Sequence, residues 1–458
     1  MILATIKGFI VRHMLTLSGI LSIFRQRGAT RFFAKKLAPN DNSKNQIYLG
    51  GDFSALGLIP HEAVFVDETD LPGSVRDRAK ARIRFLWYSE AGFAEAPNAQ
   101  LILYPKYPEV RLSGLLQGCA AAPNDVITVR DEGRVLLFGV TPDGSIFGFA
   151  CLADHPVAQE LAAINTPEML GVFVMLTGYD EGRKDTRETL IERLRAIHLE
   201  GWIPSQKFGS SGMAQPYSAR NGGGYTLEAR LGIRANGFSE PDYLGWEIKQ
   251  FGVSDLAKPV AKSQITLMTP EPVRGVYRSE GPEAFVRRFG YADRVGRTDR
   301  INFGGIYKAD SAPHHLTGLR LDLTGFNTGS GKIEDMTGAI RLIAPDGEEA
   351  AAWPYTDLID HWNRKHARAA YIPSVFREAP ISYAYGSVVL LYENTDFLRF
   401  LSAVSAGSVV YDPALKVEDA SSPSPKLKRR SQFRIRQASL PTLYASGGAV
   451  DVLAHGQT

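Results

Sequence analysis

The stretch that most constrains this chain runs Asn221-Gly-Gly-Gly-Tyr-Thr-Leu-Glu228-Ala-Arg-Leu-Gly-Ile233 and resumes, after a short loop, as Pro241-Asp242-Tyr-Leu-Gly-Trp-Glu247-Ile-Lys249. Polar and apolar residues alternate from Trp246 to Lys249, the period of a strand whose successive side chains point to opposite faces. Trp246 and Ile248 are therefore expected in a core, with Glu247 and Lys249 displayed together on the other face. Asp242 stands five residues before Glu247, on the wrong face of a straight strand. Gly245 is the residue able to turn or bulge the chain and swing Asp242 round beside Glu247. Upstream, Leu227 and Leu231 at i and i+4, with Gly232 behind them, predict a short helix that releases Glu228 on a flank.

Carboxylates gathered beside one lysine suit a hard divalent cation such as Mg²⁺, which takes carboxylate oxygens and keeps positions open for water and phosphate. Asp242 and Glu247 are the expected metal ligands, Glu228 would hold a water or a second ion, and Lys249 would orient a nucleophile or offset developing charge. A surface hairpin with an ordinary Glu–Lys pair is the plain alternative.

Gly224-Tyr-Thr-Leu-Glu228, Leu231-Gly-Ile233, Asn236, Pro241-Asp242, Gly245, Glu247-Ile-Lys249 and Ser263-Gln-Ile-Thr-Leu-Met-Thr-Pro270 together resemble the MvaI/BcnI restriction endonucleases, relatives of the mismatch-repair nickase MutH. The resemblance covers Lys184 to the end of the chain. It implies an α/β fold with a PD-(D/E)XK restriction-endonuclease-like core, a mixed sheet flanked by helices. Asp242, Glu247 and Lys249 would then fill the metal and lysine positions, and Glu228 the extra helix carboxylate of this branch. The activity implied is Mg²⁺-dependent, restriction-type hydrolysis of duplex DNA at a specific sequence, by a monomer with a dimer as the alternative, a cognate methyltransferase being a candidate partner. A MutH-like repair nickase and the nuclease subunit of a multi-gene phage-defence system are the alternatives. A non-catalytic DNA-binding protein ranks below them, because carboxylates without a cation repel phosphates.

At 458 residues the chain is too long for one ordinary domain. A net charge of only +3 makes no global demand for nucleic acid, so any basic surface must be local. Cys119 and Cys151 are the only cysteines, which argues against a disulfide framework or a zinc module and favours a reducing cytoplasm. Lys7, Arg12 and His13 interrupt the apolar N-terminus, and no run reaches the roughly 20 apolar residues of a membrane span.

Residues 1–175 are expected to form a mostly β N-terminal domain with a DNA-recognition or accessory role, and residues 184–458 the nuclease domain with a basic C-terminal lobe. Strands are expected at 99–104, 125–129, 135–138 and 145–150, with Pro142-Asp-Gly144 as a hairpin turn between the last two. Asn40, Asn42, Lys44, Asn45, Gln46 and Arg111 are candidate base readers, although turn chemistry favours the same residue types. The positive run from Arg76 to Arg84 reads as phosphate-tracking or as solvated helix.

A helix is expected from Asp185, with Leu190, Ile191, Leu194 and Ile197 packing on the nuclease sheet. The following Gly- and Ser-rich stretch to Arg220 reads as a loop, placing Lys207 and Arg220 near a DNA backbone. On a helix from Asp357 to Arg368, His361 and His366 share no face, so its basic residues read as solvated or nucleic-acid-facing surface. In the most basic stretch, Lys426 to Arg436, Arg430, Arg434 and Arg436 are expected to contact DNA, a guarded edge strand being the alternative.

Overall fold

A computed structural model describes residues 16–42, 46–66, 78–176, 179, 186–209, 212–233 and 242–454. The chain divides into two compact units, Met1–Asp185 and Thr186–Thr458, both mixing helix and strand. Lys7, Arg12 and His13 of the apolar N-terminus, and Asp185, where a helix is expected to start, fall outside the described residues.

In the first unit a helix, Leu17–Gln26, starts where the Thr16 hydroxyl accepts a hydrogen bond from the Gly19 amide at 3.1 Å. Its buried stripe of Leu17, Ile20, Leu21 and Phe24 packs on Phe32, Val135, Leu137 and Phe147 of a seven-stranded sheet. Within that sheet Val135–Val140 pairs antiparallel with Ser145–Cys151 across the expected turn, where Gly144 has φ +84°. A second, five-stranded sheet runs Ile47–Gly50, Glu109–Ser113, Gln100–Tyr104, Ala79–Arg82, Phe65–Val66 in spatial order.

Two expectations for this unit are corrected. Residues 125–129 do not form a strand: Asn124–Ile127 is a helical turn, in which Ile127 N–H and Thr128 N–H bond the carbonyls of Pro123 and Asn124. Pro123 fixes its own φ near the helical value and starts the turn. The basic run is not helix either, since Ala79–Arg82 and Arg84–Ser89 are strands that bury Ala79, Ala81 and Phe85. Arg76 lies outside the described residues.

The second unit is built around strand β1 (Glu247–Gly252), which runs parallel to β2 (Arg368–Arg377) with Glu247 opposite Ala369 and Lys249 opposite Tyr371. Strand β3 (Val388–Glu393) pairs antiparallel with the same β2 residues, so β1 and β3 occupy opposite edges of β2. One face of this sheet is covered by helices α1 (Thr186–Leu199) and α2 (Gly223–Leu231). Leu190, Ile191, Leu194 and Ile197 of α1 and Leu227 and Leu231 of α2 bury against Trp246, Ile248, Ala370, Ile372 and Leu391. Gly232, at φ +79°, ends α2 in the left-handed conformation, its N–H bonding the carbonyls of Ala229 and Glu228.

The stretch after Gly201 is not a plain loop, because Gln206–Phe208 and Ala214–Pro216 pair as a hairpin. Between residues 382 and 393 the chain forms two strands, Ser382–Tyr385 and β3, parted at Gly386. Helix α3 (Tyr355–His366) ends two residues earlier than expected, and Arg368 opens β2.

Leu227 is fully buried in this core, whereas Leu199 at the end of α1 is 65% exposed. Leu227→Ala should cost about 2–5 kcal/mol, and Leu199→Ala within about 0.5 kcal/mol, read as shifts of the urea midpoint at unchanged slope.

Candidate active site

The carboxylates meet because of a tight turn. Leu244 and Gly245 take φ values of 51° and 84°, and Tyr243 and Trp246 exchange both backbone hydrogen bonds, at 3.0 and 2.8 Å. Two central residues at positive φ between paired neighbours make the two-residue hairpin turn whose twist suits a strand entry. It returns Asp242 along the start of β1, where its Oδ2 accepts from the Ile248 amide at 3.0 Å. Asp242 thus lies beside Glu247, as expected, through a turn rather than a bulge.

Glu247 is not displayed. It is 2% exposed, with Oε1 2.5 Å from Lys249 Nζ, and Oε2 is buried with no hydrogen-bond partner among the described residues. Lys365 and His366 of α3 act on its charge, so this end of β1 does not face open solvent as expected. Burial pushes the Glu247 carboxyl up, but Lys249, then His366 and Lys365, outweigh it and leave its pKa below the ordinary value. Burial and then the Asp242 charge push Glu228 up to about 7, against the pull of Lys249. Asp242 is pushed up to about 6 by burial and by Glu247, against the Ile248 amide and Lys249.

Helix α3 supplies groups that the sequence reading put on the surface. His366 is fully buried and stacked on Trp362 at 4.2 Å, neither ring nitrogen has a hydrogen-bond partner, and burial, then Lys249, depresses its pKa to about 3. His361 is depressed too, by burial and by Lys365 and Lys249. Although five residues apart, both histidines feel Glu247, and Lys365 acts on Glu228, Asp242 and Glu247 alike. The one sequence signal was the apolar stripe of Leu358, Ile359 and Trp362, which continues to His366 and so marks that residue as inward-facing.

Among the described residues no three His, Cys, Asp or Glu side chains stand close enough to form a metal cage, so Glu228 does not complete a three-ligand set with Asp242 and Glu247. Two carboxylates suffice for Mg²⁺, which keeps several waters and binds through one or two protein carboxylates plus phosphate oxygens. The unpartnered Glu247 Oε2 and the two raised carboxyls are what a hard cation would satisfy.

Of the expected DNA contacts, Asn40 is exposed, Asn42 is buried, and Lys44 and Asn45 lie outside the described residues. Gln46 accepts from the Tyr104 hydroxyl at 3.2 Å. Arg111 pairs with Glu109 at 2.9 Å, and Arg220 with Glu378 on the surface. Lys207 stands over the Tyr217 ring at 5.1 Å. Arg430 and Arg436 are exposed. Arg434 is not available to a groove: it pairs with Asp412 at 2.6 Å and also donates to the Gln264 carbonyl. Its strand, Phe433–Ile435, is central between Ile265–Met268 and Val409–Tyr411, so the guarded-edge alternative fails as well.

Converging carboxylates with two lysines form a donor set suited to hydrolysis of a charged ester. Residues 191–444, more than half of the chain, match the MvaI/BcnI restriction endonuclease family, and the chain belongs to that family of DNA-cleaving hydrolases. Similar solved structures include a restriction endonuclease MvaI–cognate DNA substrate complex, at 17% identity and a TM-score of 0.42, covering 59% of this chain and 100% of that one. Restriction endonuclease MvaI in the absence of DNA is similar at 15% identity and a TM-score of 0.33, covering 59% and 99%. No curated protein matches the chain.

With its carboxyl at about 6, Asp242 carries a proton in the mildly acidic range that must leave before a cation can bind. Affinity for Mn²⁺ or Mg²⁺ should therefore rise from pH 5.5 to pH 8, with proton uptake by the buffer visible in calorimetry across buffers of different ionisation enthalpy. Asp242→Asn should weaken binding at least tenfold and flatten the pH dependence.

Proposed function

We propose that the chain is a Mg²⁺-dependent endodeoxyribonuclease of restriction type, with a PD-(D/E)XK core, that hydrolyses phosphodiester bonds of duplex DNA at a specific sequence. The observation that carries this reading is the buried Glu247, one oxygen on Lys249 and the other without a partner, beside Asp242 in a chain of the MvaI/BcnI family. A surface Glu–Lys pair would be neither buried nor surrounded by raised carboxyls.

When bound, the cation supplies Lewis-acid polarisation of a phosphodiester oxygen and a more acidic water. Asp242 and Glu247 are the residues that would hold it, Asp242 fixed in place by the Ile248 amide. The Lys249 ammonium stands where it can orient the attacking water and donate to charge developing on the phosphate as the phosphorus–oxygen bond breaks. The Glu228 carboxyl, raised to about 7, would take a proton from that water or return one to the leaving oxygen. Lys365 adds a second positive charge facing the carboxylates, which eases the approach of a polyanion.

The first unit would contribute to recognition of DNA. A monomer in the cytoplasm with a cognate methyltransferase completes the proposal, and both cysteines are free and buried, as a reducing compartment allows.

Purified protein should cut supercoiled unmethylated plasmid into fragments with discrete ends when Mg²⁺ is present and leave it intact with EDTA. Asp242→Ala should lower cleavage by about 10³-fold or more while DNA binding is retained or tightened, since a repelling carboxylate has gone. Lys249→Ala should lower it about 10²-fold or more. Failure to cut plasmids of any methylation state would sink the enzyme reading.

A further inference from the structure

A cavity of about 800 Å³ opens at one end of the five-stranded sheet in the first unit. Part of its wall is one row across three strands, in which Arg82 pairs with Gln100 and Gln100 with Ser113. Around that row stand Asn42, Gln46, Asn98, Gln117 and Asn124, so six lining residues are amides. Among the described lining residues there is no Asp, Glu or Lys, and Arg82 is the sole cation.

This lining excludes several ligands. A hard metal ion needs carboxylates or several oxygens fixed at short distance. A length of phosphodiester backbone needs several cations to replace its counterions. An apolar ligand would strand the amides without hydrogen bonds. What remains is a flat, neutral group with donors and acceptors along its edge, the pattern that Asn and Gln read on a nucleobase.

The amides are held rather than loose. Tyr104 donates to Gln46 Oε1 at 3.2 Å, which presents the Gln46 nitrogen as a donor. Asn98 and Asn124 each spend a nitrogen on a backbone carbonyl, of Gln117 and Ala122, at 3.1 Å, and so present their oxygens as acceptors. Pro97 and Leu116, exposed and half-buried, supply apolar surface for a ring face over buried Ile47, Leu112 and Ile127, and Arg82 a single charge for a single phosphate.

We propose that this cavity binds one nucleobase with its own phosphate, delivered by extrusion from duplex DNA. A base inside the stack cannot offer its edge to walls on several sides, and extrusion costs only a few kcal/mol. The proposal rests on the nuclease reading only for the source of the base; the chemistry of the pocket stands apart from it.

The test uses the full chain in EDTA, where no cleavage occurs. Saturation-transfer NMR and calorimetry with dAMP, dCMP, dGMP and dTMP should show at least one bound through its base protons, with deoxyribose 5-phosphate bound at least tenfold more weakly. Gln100→Leu and Arg82→Gln, at half-buried and exposed positions, should each weaken that binding at least tenfold with an unchanged thermal midpoint. Duplexes carrying 2-aminopurine in a mismatch should brighten on binding wild-type protein and not on binding Gln100→Leu.

Equal binding of the sugar phosphate, nucleotide binding unaffected in both variants, or bound duplexes that never brighten would each overturn the proposal. Mg²⁺-dependent plasmid cleavage, measured separately, keeps the two readings distinct. Cleavage without nucleotide binding removes the pocket alone, and nucleotide binding without cleavage leaves the pocket standing while the nuclease reading falls.

Discussion

The parallel pairing of β1 with β2 is the constraint on which the second unit depends. It sets Glu247 opposite Ala369, three residues after the end of α3, so the helix must fold back over the carboxylate that opens β1. A charged group taken out of water there is tolerable only with compensation, because an isolated buried charge is among the costliest features a fold can carry. Lys249 provides it from the same strand and Lys365 from the helix, while His366 stays neutral. The result is a cluster of high local field with one oxygen left unpartnered.

That arrangement explains why three carboxyls in one neighbourhood behave differently. Glu247 sits against Lys249 and is pulled below its usual value, whereas burial and the Glu247 charge raise Asp242, and burial and the Asp242 charge raise Glu228, each ahead of the pull of either lysine. Environments that push like groups apart are how one site assigns different protonation states to chemically similar side chains. A turn of two residues at positive φ, Leu244 and Gly245, is what brings Asp242 within reach of that division.

The two units carry different chemistries. The carboxylate and lysine groups of the second unit address charge, a term that salt screens and that carries no information about bases. The amide-lined cavity of the first unit is nearly uncharged and suited to hydrogen-bond patterns, which carry that information. Several arginines that look available in the sequence are already committed to acidic neighbours, Arg434 to Asp412 and Arg111 to Glu109, and hold the fold instead.

Local pattern alone determined much of the second unit. The i, i+4 leucines and Gly232 specify α2, the alternation from Trp246 to Lys249 specifies β1, and Gly245 marks the turn, because each depends on residues only a few positions apart. That Asp242 lies near Glu247 and Lys249 was legible for the same reason. Tertiary structure alone decided that Glu247 is buried, that α3 places Lys365, His361 and His366 over it, and that Arg434 lies in a central strand. These outcomes follow from pairing between segments more than 100 residues apart in the chain for β1 and β2. The amide cavity likewise assembles from segments between Asn42 and Thr128 that show no common period, so it exists only once the strands have paired.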